Sequence, residues 1–439
     1  MRCSQEGEQD VGRNGARDRL GLRPRIEHMR RDMSFRSMPS RTVLLGATAL
    51  GLLVSANAQA STWSFGLMSD TQWIGNTDLA NNPGTSAISI VNQVNQQFIN
   101  SGVKFVIQDG DLVDSYSASN EAVRAKAAQT LYGAGIGFYP LRGNHDAPNN
   151  GTASLLAVQN LYPQMTGAGN TFGAGNFVVN AATGSYAFDY NNTRIVMLDQ
   201  FTGAPTGNAD PLKGTNVATQ LNWLGAALST ATNPDPGVTN SFVIGHKNLI
   251  GGNHVDNLFG ANPASNPAVQ NQFYSILAQN KVDAYIGGHD HMMQVDRVTS
   301  PDGATTVTQI ISGSDSNKFY IPAGTAPNLN GGKTNAEQYG RTQDVLLQDL
   351  YDVGYWIFTV DGATVDASYY AAASGATLQS GEYLMSVTPT ALNFHELYTI
   401  SFTEGVLAVP EPSTWAMMLA GFAGLAFAGS RAKRARVAA

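Results

Sequence analysis

What most constrains this chain is a pattern that recurs five times: a short apolar run of β-forming residues that breaks into a turn carrying Asp, Asn or His. WSFGLMS runs into Asp70, VKFVIQ into Asp109-Gly110-Asp111, IGFYPLR into Gly143-Asn144-His145-Asp146, NSFVIG into His246, and DAYIGG into His289. Runs this short, bounded by glycine and polar residues, read as buried strands. Between them lie stretches with helical spacing, at 86–102, 119–133, 217–230 and 267–280; in the first, Ile88, Val91, Val94 and Phe98 form one apolar stripe. Strands alternating with helices predict an α/β body with much parallel sheet. Ligands of such sheets bind beyond the carboxyl ends of the strands, so the five polar clusters are expected to meet. A sixth strand, TRIVMLD (193–199), carries no matching cluster.

After residue 292 the pattern changes. QVDRV, TTVTQIISG, YWIFTVDG and TVDASYYAA read as hairpin strands, with turns at Pro301-Asp302-Gly303 and Asp361-Gly362. They are expected to complete the same sandwich, giving a main domain over 61–375. Residues 376–408 read as a β-rich extension, either packed on that core or forming a small appendage.

The 439 residues suffice for a sizeable core. The ends differ from the middle. Residues 1–60 hold ten Arg and six acidic residues, and 411–439 hold four basic residues and Glu411; of the 26 basic and 33 acidic residues in the chain, 12 and 26 therefore fall in 61–410. A body so acidic repels nucleic acid and attracts divalent cations. The only cysteine is Cys3, so a metal site in the body must use nitrogen and oxygen donors.

Both ends read as targeting segments. In 33–60, Arg36 and Arg41 precede the apolar run Val43 to Val54, and Ala58-Gln59-Ala60 is a cleavage signature. This predicts a secretory signal peptide cut before Ser61, with a membrane anchor as the alternative. Residues 1–32 lack apolar periodicity and point to a true start at Met33 or Met38. At the other end, Pro410-Glu411-Pro412, an apolar run from Trp415 to Gly429 and then Arg431, Lys433, Arg434 and Arg436 make a short membrane-seeking segment with a basic stop. This arrangement over 409–439 resembles the PEP-CTERM sorting signal of Gram-negative bacteria. The resemblance implies export, transient inner-membrane contact through 414–430, and processing by an exosortase-type enzyme, leaving the protein in the periplasm, envelope or extracellular matrix. A plain C-terminal anchor is the alternative.

The five clusters supply a coherent donor set. Asp70 and Gln72 stand two apart on what reads as extended chain, so both side chains face one way; the same holds for His289 and His291, with Asp290 on the other face. Asp111 in its glycine turn can approach two cations, Asn144 offers an amide oxygen and His246 an imidazole. Such a mixed set suits Zn, Mn or Fe rather than Ca.

The series Asp70-Thr71-Gln72, Gly110-Asp111-Leu112-Val113-Asp114, Gly143-Asn144-His145-Asp146, Gly245-His246 and Gly288-His289-Asp290-His291 resembles the calcineurin-like metallophosphoesterase superfamily. The resemblance spans about residues 63–370 and implies a four-layer α/β/β/α sandwich of two mixed sheets flanked by helices. It implies that two divalent ions (Mn, Zn, Fe or Mg) are bound. Asp70, Gln72, Asp111 and His291 would hold the first and Asn144, His246 and His289 would complete the second, with Asp111 bridging. His145 would face the substrate as acid or charge stabiliser, Asp146 would orient His145, and Asp114 would support the shell. A bridging hydroxide would attack the phosphoryl group in line, with no covalent enzyme intermediate. One position departs from the pattern: the first motif commonly ends in His, and Gln72 offers only a weaker, harder amide oxygen. That favours Mn or Mg there, or leaves Gln72 a non-ligand.

The reading is therefore an exported metal-dependent phosphoesterase, phosphomonoesters first. Phosphodiesters or nucleotides are the alternative substrates, and a non-catalytic envelope or matrix binding protein is the alternative class. His254 rivals His246 as a ligand but sits in a Gly-Asn loop. Arg142 is expected in a strand-end salt bridge, Asp109 in a turn, His395 in a structural role, and Trp73, Tyr116 and Asn253 in ordinary surface or core.

Overall fold

A computed structural model describes residues 61–148, 151–203, 215–229 and 237–409. The signal-peptide segment, residues 204–214 and the sorting segment from 410 onward lie outside the described residues. Among the described residues no helix is long and apolar enough to cross a membrane.

Two large mixed sheets form the centre. The first has seven strands in the order Val406–Ala408, His395–Thr403, Thr364–Ala373, Asp352–Asp361, Trp63–Met68, Phe105–Gln108 and Gly137–Pro140. The last three are parallel and the rest antiparallel. The second has eight, in the order Gln343–Asp349, Met293–Thr299, Thr306–Ser312, Ala284–Gly287, Asn240–Ile244, Thr193–Met197, Tyr186–Tyr190 and Gly175–Val179. Its four central neighbours, from Thr306–Ser312 to Thr193–Met197, run parallel.

The sheets bury aromatic rings between them. Phe65 stacks on Phe105 (centroids 5.1 Å apart) and on Phe358 (4.7 Å), both of its own sheet. Phe242 of the second sheet meets Phe65, Phe358 and Phe402 edge-on at 5.8, 5.3 and 5.9 Å, the preferred approach of a ring's positive edge to a negative face. Trp356 adds a polar link, its indole N–H donating to the Ser312 carbonyl of the other sheet at 2.9 Å.

Helices cover the outer faces. Ile88–Ser101 lays its buried stripe of Ile90, Val91, Val94 and Phe98 on the first sheet. Phe98 comes so near that a Cβ on Gly66 would meet its ring at 2.5 Å. Ala118–Gly133 lies beside it, its first turn capped by Ser117, whose hydroxyl accepts from the amide of Asn120 at 3.1 Å. On the second sheet, Val217–Leu228 and Pro267–Gln279 pack Leu221, Leu224, Phe273 and Leu277 against Val196, Val243 and Tyr285. The result is the expected α/β/β/α sandwich.

The segment 376–408 divides in two. Thr377–Gln379 and Glu382–Leu384 join Lys318–Phe319 in a small third sheet. Strands His395–Thr403 and Val406–Ala408 extend the first sheet, so this part of the chain is continuous with the core. The helix Thr152–Leu161 and the strands Gly175–Val179 and Tyr186–Tyr190 fall in a Gly- and Asn-rich stretch whose sequence carried no clear period.

Phe65→Ala, which empties the centre of the ring cluster, is expected to cost about 3–5 kcal/mol of stability in urea unfolding.

Candidate metal centre

The parallel strands end at Met68, Gln108, Pro140, Ile244 and Gly287, and the five following loops meet at one edge of the sandwich. Asp111 is at the middle and is buried. Its Oδ2 accepts from the Gln72 amide at 2.9 Å, and its Oδ1 lies 3.4 Å from His246 Nε2 and accepts the backbone N–H of His145 at 3.0 Å. Asn144 Oδ1 stands 2.9 Å from that same His246 Nε2. His291 Nε2 lies 3.5 Å from Asp70 Oδ1. Two groups of donors result, Asp111 with His246 and His289, and Asp70 with Asp111 and His291; within each, the donor atoms lie within 4.8 Å of one another. The seven residues singled out in the sequence as donors are thus brought together.

They do not arrive there as extended chain. Asp70 (φ 44°), Asp111 (φ 46°), His289 (φ 69°) and His291 (φ 48°) all occupy the left-handed region, which costs a non-glycine residue energy and gathers at functional sites. The alternation that was expected to point Asp70 with Gln72, and His289 with His291, is replaced by tight turns that swing each side chain inward separately. Two glycines make the close packing possible. Gly110 has φ 124°, and a Cβ there would meet His246 Nδ1 at 2.2 Å; a Cβ on Gly288 would meet Asp70 Oδ2 at 2.5 Å.

Around the centre, carboxylates brace the loops. Asp146 does not reach the ring of His145, contrary to expectation. Its oxygens accept the amides of Gly143 (2.8 Å), Leu112 (3.0 Å) and Val113 (3.2 Å), stapling two ligand loops together. Asp114 orients His145 instead: its carbonyl takes Nδ1–H at 2.5 Å and its carboxylate stands 3.6 Å from that nitrogen. His145 is partly exposed, at the rim. Asp290 likewise accepts the amides of Gly252, Asn253 and His254 at 3.2, 2.9 and 2.6 Å, fixing the loop beyond His246. Buried Arg142 makes the expected ion pair, with Nη2 2.6 Å from Asp199.

The profile of the calcineurin-like phosphoesterase family matches residues 64–293, over half of the chain. The protein belongs to the calcineurin-like phosphoesterase family. It is a metal-dependent phosphoric ester hydrolase. A second profile, the PEP-CTERM protein-sorting motif, matches residues 408–434, which implies export in a Gram-negative bacterium and processing by an exosortase. No curated protein matches the chain. Among solved structures, a dimetal phosphatase from Danio rerio is similar over 78% of this chain and 99% of its own, at 14% identity and a TM-score of 0.43. GAP50 of Plasmodium is similar over 76% and 88%, at 15% identity and 0.39. Purple acid phosphatase PPD1 of yellow lupin (Lupinus luteus) is similar over 71% and 52%, at 14% identity and 0.42.

The donors of this phosphoesterase fit divalent cations. Burial pushes the carboxyls of Asp70 and Asp109 up, the latter to about 6. Burial would raise Asp111 too, but the imidazoles of His246 and His145 outweigh it and hold Asp111 ionised. Burial alone would lower His246, yet Asp111, Asp70 and Asp109 lift it to about 9. Burial pushes the imidazoles of His289 and His291 down, the former to about 3, which leaves both as neutral nitrogen donors. Gln72 Oε1 is buried without a partner, and a half-turn of the amide would bring that oxygen to Asp111 Oδ2, where its nitrogen now sits.

Sequence reasoning missed Asp256, which lies 3.5 Å from His289 Nε2, and Asp199, whose strand had been read as carrying no cluster. Neither has a motif around it; Asp199, at the end of an apolar run, was the one available signal. His254 stacks on His289 at 4.0 Å, at the rim rather than in place of His246.

Asp146→Ala strands three buried amides. It is expected to lower stability by at least about 2 kcal/mol in urea unfolding, whereas His145→Ala is expected to leave the unfolding midpoint unchanged.

Proposed function

We propose that this exported phosphoesterase hydrolyses phosphate monoesters at a centre of two divalent cations. Asp70, Gln72, Asp111 and His291 would hold the first, and Asp111, Asn144, His246 and His289 the second. The observation that carries this reading is the convergence of two donor groups on the single carboxylate of Asp111. Such a pair, when bound, supplies Lewis acidity at the phosphoryl oxygens and an acidified water. Mn, Zn, Fe and Mg are all compatible with the donors, and the amide of Gln72 favours Mn or Mg at the first position.

The side chains do the rest. With Nδ1–H on the Asp114 carbonyl, His145 presents Nε2 outward from the rim. Burial lowers its affinity for a proton, but Asp111 and the Asp114 carbonyl and carboxylate more than restore it. An imidazolium there meets negative charge on the phosphoryl group, or hands its proton to the leaving oxygen. Asp114 keeps that ring aimed, and Asp146 and Arg142 keep the loop beneath it from shifting. After export the body works in the periplasm, envelope or matrix; before processing, residues 414–430 contact the inner membrane.

The mature protein loaded with Mn or Zn is expected to turn over p-nitrophenyl phosphate faster than bis-p-nitrophenyl phosphate. His145→Ala is expected to cut kcat by about 10²–10⁴ while metal content stays at the wild-type level. Faster turnover of the diester would replace the monoester assignment with a phosphodiesterase one. Full metal loading without turnover of any phosphoester would overturn the catalytic reading.

A further inference from the structure

The three imidazoles of the centre are held by two different devices. His246 and His291 each direct Nδ1 to a backbone carbonyl, that of Asp109 at 3.1 Å and that of Lys318 at 2.8 Å. A carbonyl can only accept, so in each ring Nδ1 carries a proton and Nε2 is the nitrogen that faces the carboxylates. His289 is arranged the other way round. Its Nε2 is buried and makes no hydrogen bond among the described residues, but it lies 3.5 Å from the carboxylate Oδ2 of Asp256. Hydrogen bonds around reaction centres are often this long before ligands seat and shorten them.

Asp256 is itself fixed, because the same Oδ2 accepts from Lys247 Nζ at 2.6 Å. Lys247 directly follows His246, so the brace on one imidazole is built from the loop that supplies another. The ring of His289 cannot easily turn over either. His254 stacks on it, with centroids 4.0 Å apart and planes 26° apart, and His246 meets it edge-on at 5.1 Å. His254 is in turn tied to Asp290 through its backbone amide at 2.6 Å and its Nδ1 at 3.2 Å. The backbone N–H of His289 donates to Asp70 at 3.0 Å, which anchors the other end of the residue.

We propose that Asp256 is a positioning residue: held by Lys247, it accepts Nε2–H of His289 and so fixes the tautomer whose bare Nδ1 faces Asp111 and His246. No motif marks Asp256, and among the described residues its ion pairs are those with His289 and Lys247. An anion behind an imidazole strengthens it as a donor more than a neutral carbonyl does. The position shared by Asp111, Asn144, His246 and His289 is therefore the tighter of the two, and the one containing Gln72 the weaker. This consequence rests on the two-cation reading above; the tautomer does not.

The test uses the full chain with ¹⁵N-labelled histidine. In the metal-free wild type, long-range ¹H–¹⁵N spectra are expected to show His289, assigned by its loss in His289→Gln, as the Nε2–H tautomer. Asp256→Ala is expected to mix or reverse that tautomer. In parallel, Co²⁺ titration followed in the visible spectrum is expected to resolve a tighter and a weaker class of binding. Asp256→Ala should weaken the tighter class about 10–100-fold and leave the weaker one in place, and Asp256→Glu should recover part of the loss. If Asp256 merely neutralises Lys247, the tautomer will not move. An unchanged tautomer in Asp256→Ala, or Co²⁺ affinity within about threefold of wild type, overturns the proposal. Should Asp256→Ala fail to fold because buried Lys247 loses this carboxylate, the double variant Lys247→Met with Asp256→Ala removes both charges and carries the same readouts. A wild type that takes up no Co²⁺ sinks the two-cation reading, while the tautomer spectra still decide the role of Asp256.

Discussion

Everything at the working edge of this protein is arranged around one buried carboxylate. Asp111 would be costly to bury alone, and its environment answers that cost from several directions: the amide of Gln72, the backbone N–H of His145 and the imidazole of His246 all reach it. Each comes from a different loop, so the charge of Asp111 ties those loops to one another. A divalent cation on either side of it satisfies the same electrostatic demand more completely than hydrogen bonds can.

Holding such a group requires a backbone that turns abruptly. The sandwich supplies straight, rigid strands up to Met68, Gln108, Pro140, Ile244 and Gly287. Beyond them the chain enters left-handed turns at Asp70, Asp111, His289 and His291. Strain of this kind persists only where the surroundings over-determine it. Here the surroundings are ring packing between the sheets below and carboxylate staples above. Asp146 and Asp290 each gather three backbone amides, and Asp199 anchors Arg142 beneath the Gly143–Asp146 turn.

The acidic character of the body thus has two parts. Some carboxylates face the centre, and others are spent on loop amides or on buried cations such as Arg142 and Lys247. By residue type the two kinds are indistinguishable. Asp146 and Asp256 show it well: the first sits inside a recognisable motif yet works on backbone amides, while the second sits in no motif yet stands beside an imidazole of the centre.

While the layer order came only through the family its motifs resemble, the sequence by itself determined the α/β class, the positions of the main strands and helices, and the donors that could take part in the centre. It could do so because a buried strand needs an apolar run, a helix needs a stripe, and a strand-end turn tolerates only a few residue types, all of them local demands written in adjacent residues. Strands of little period, such as Gly175–Val179, and the helix Thr152–Leu161 escaped because their neighbours, not their own pattern, decide their state. Tertiary structure alone decided how the side chains reach one another. The left-handed turns that replace simple alternation, Asp114 rather than Asp146 on His145, the pairing of Arg142 with Asp199, and Asp256 behind His289 all depend on which loops lie side by side. That proximity is set by the twist and packing of two whole sheets, and no short stretch of chain contains it.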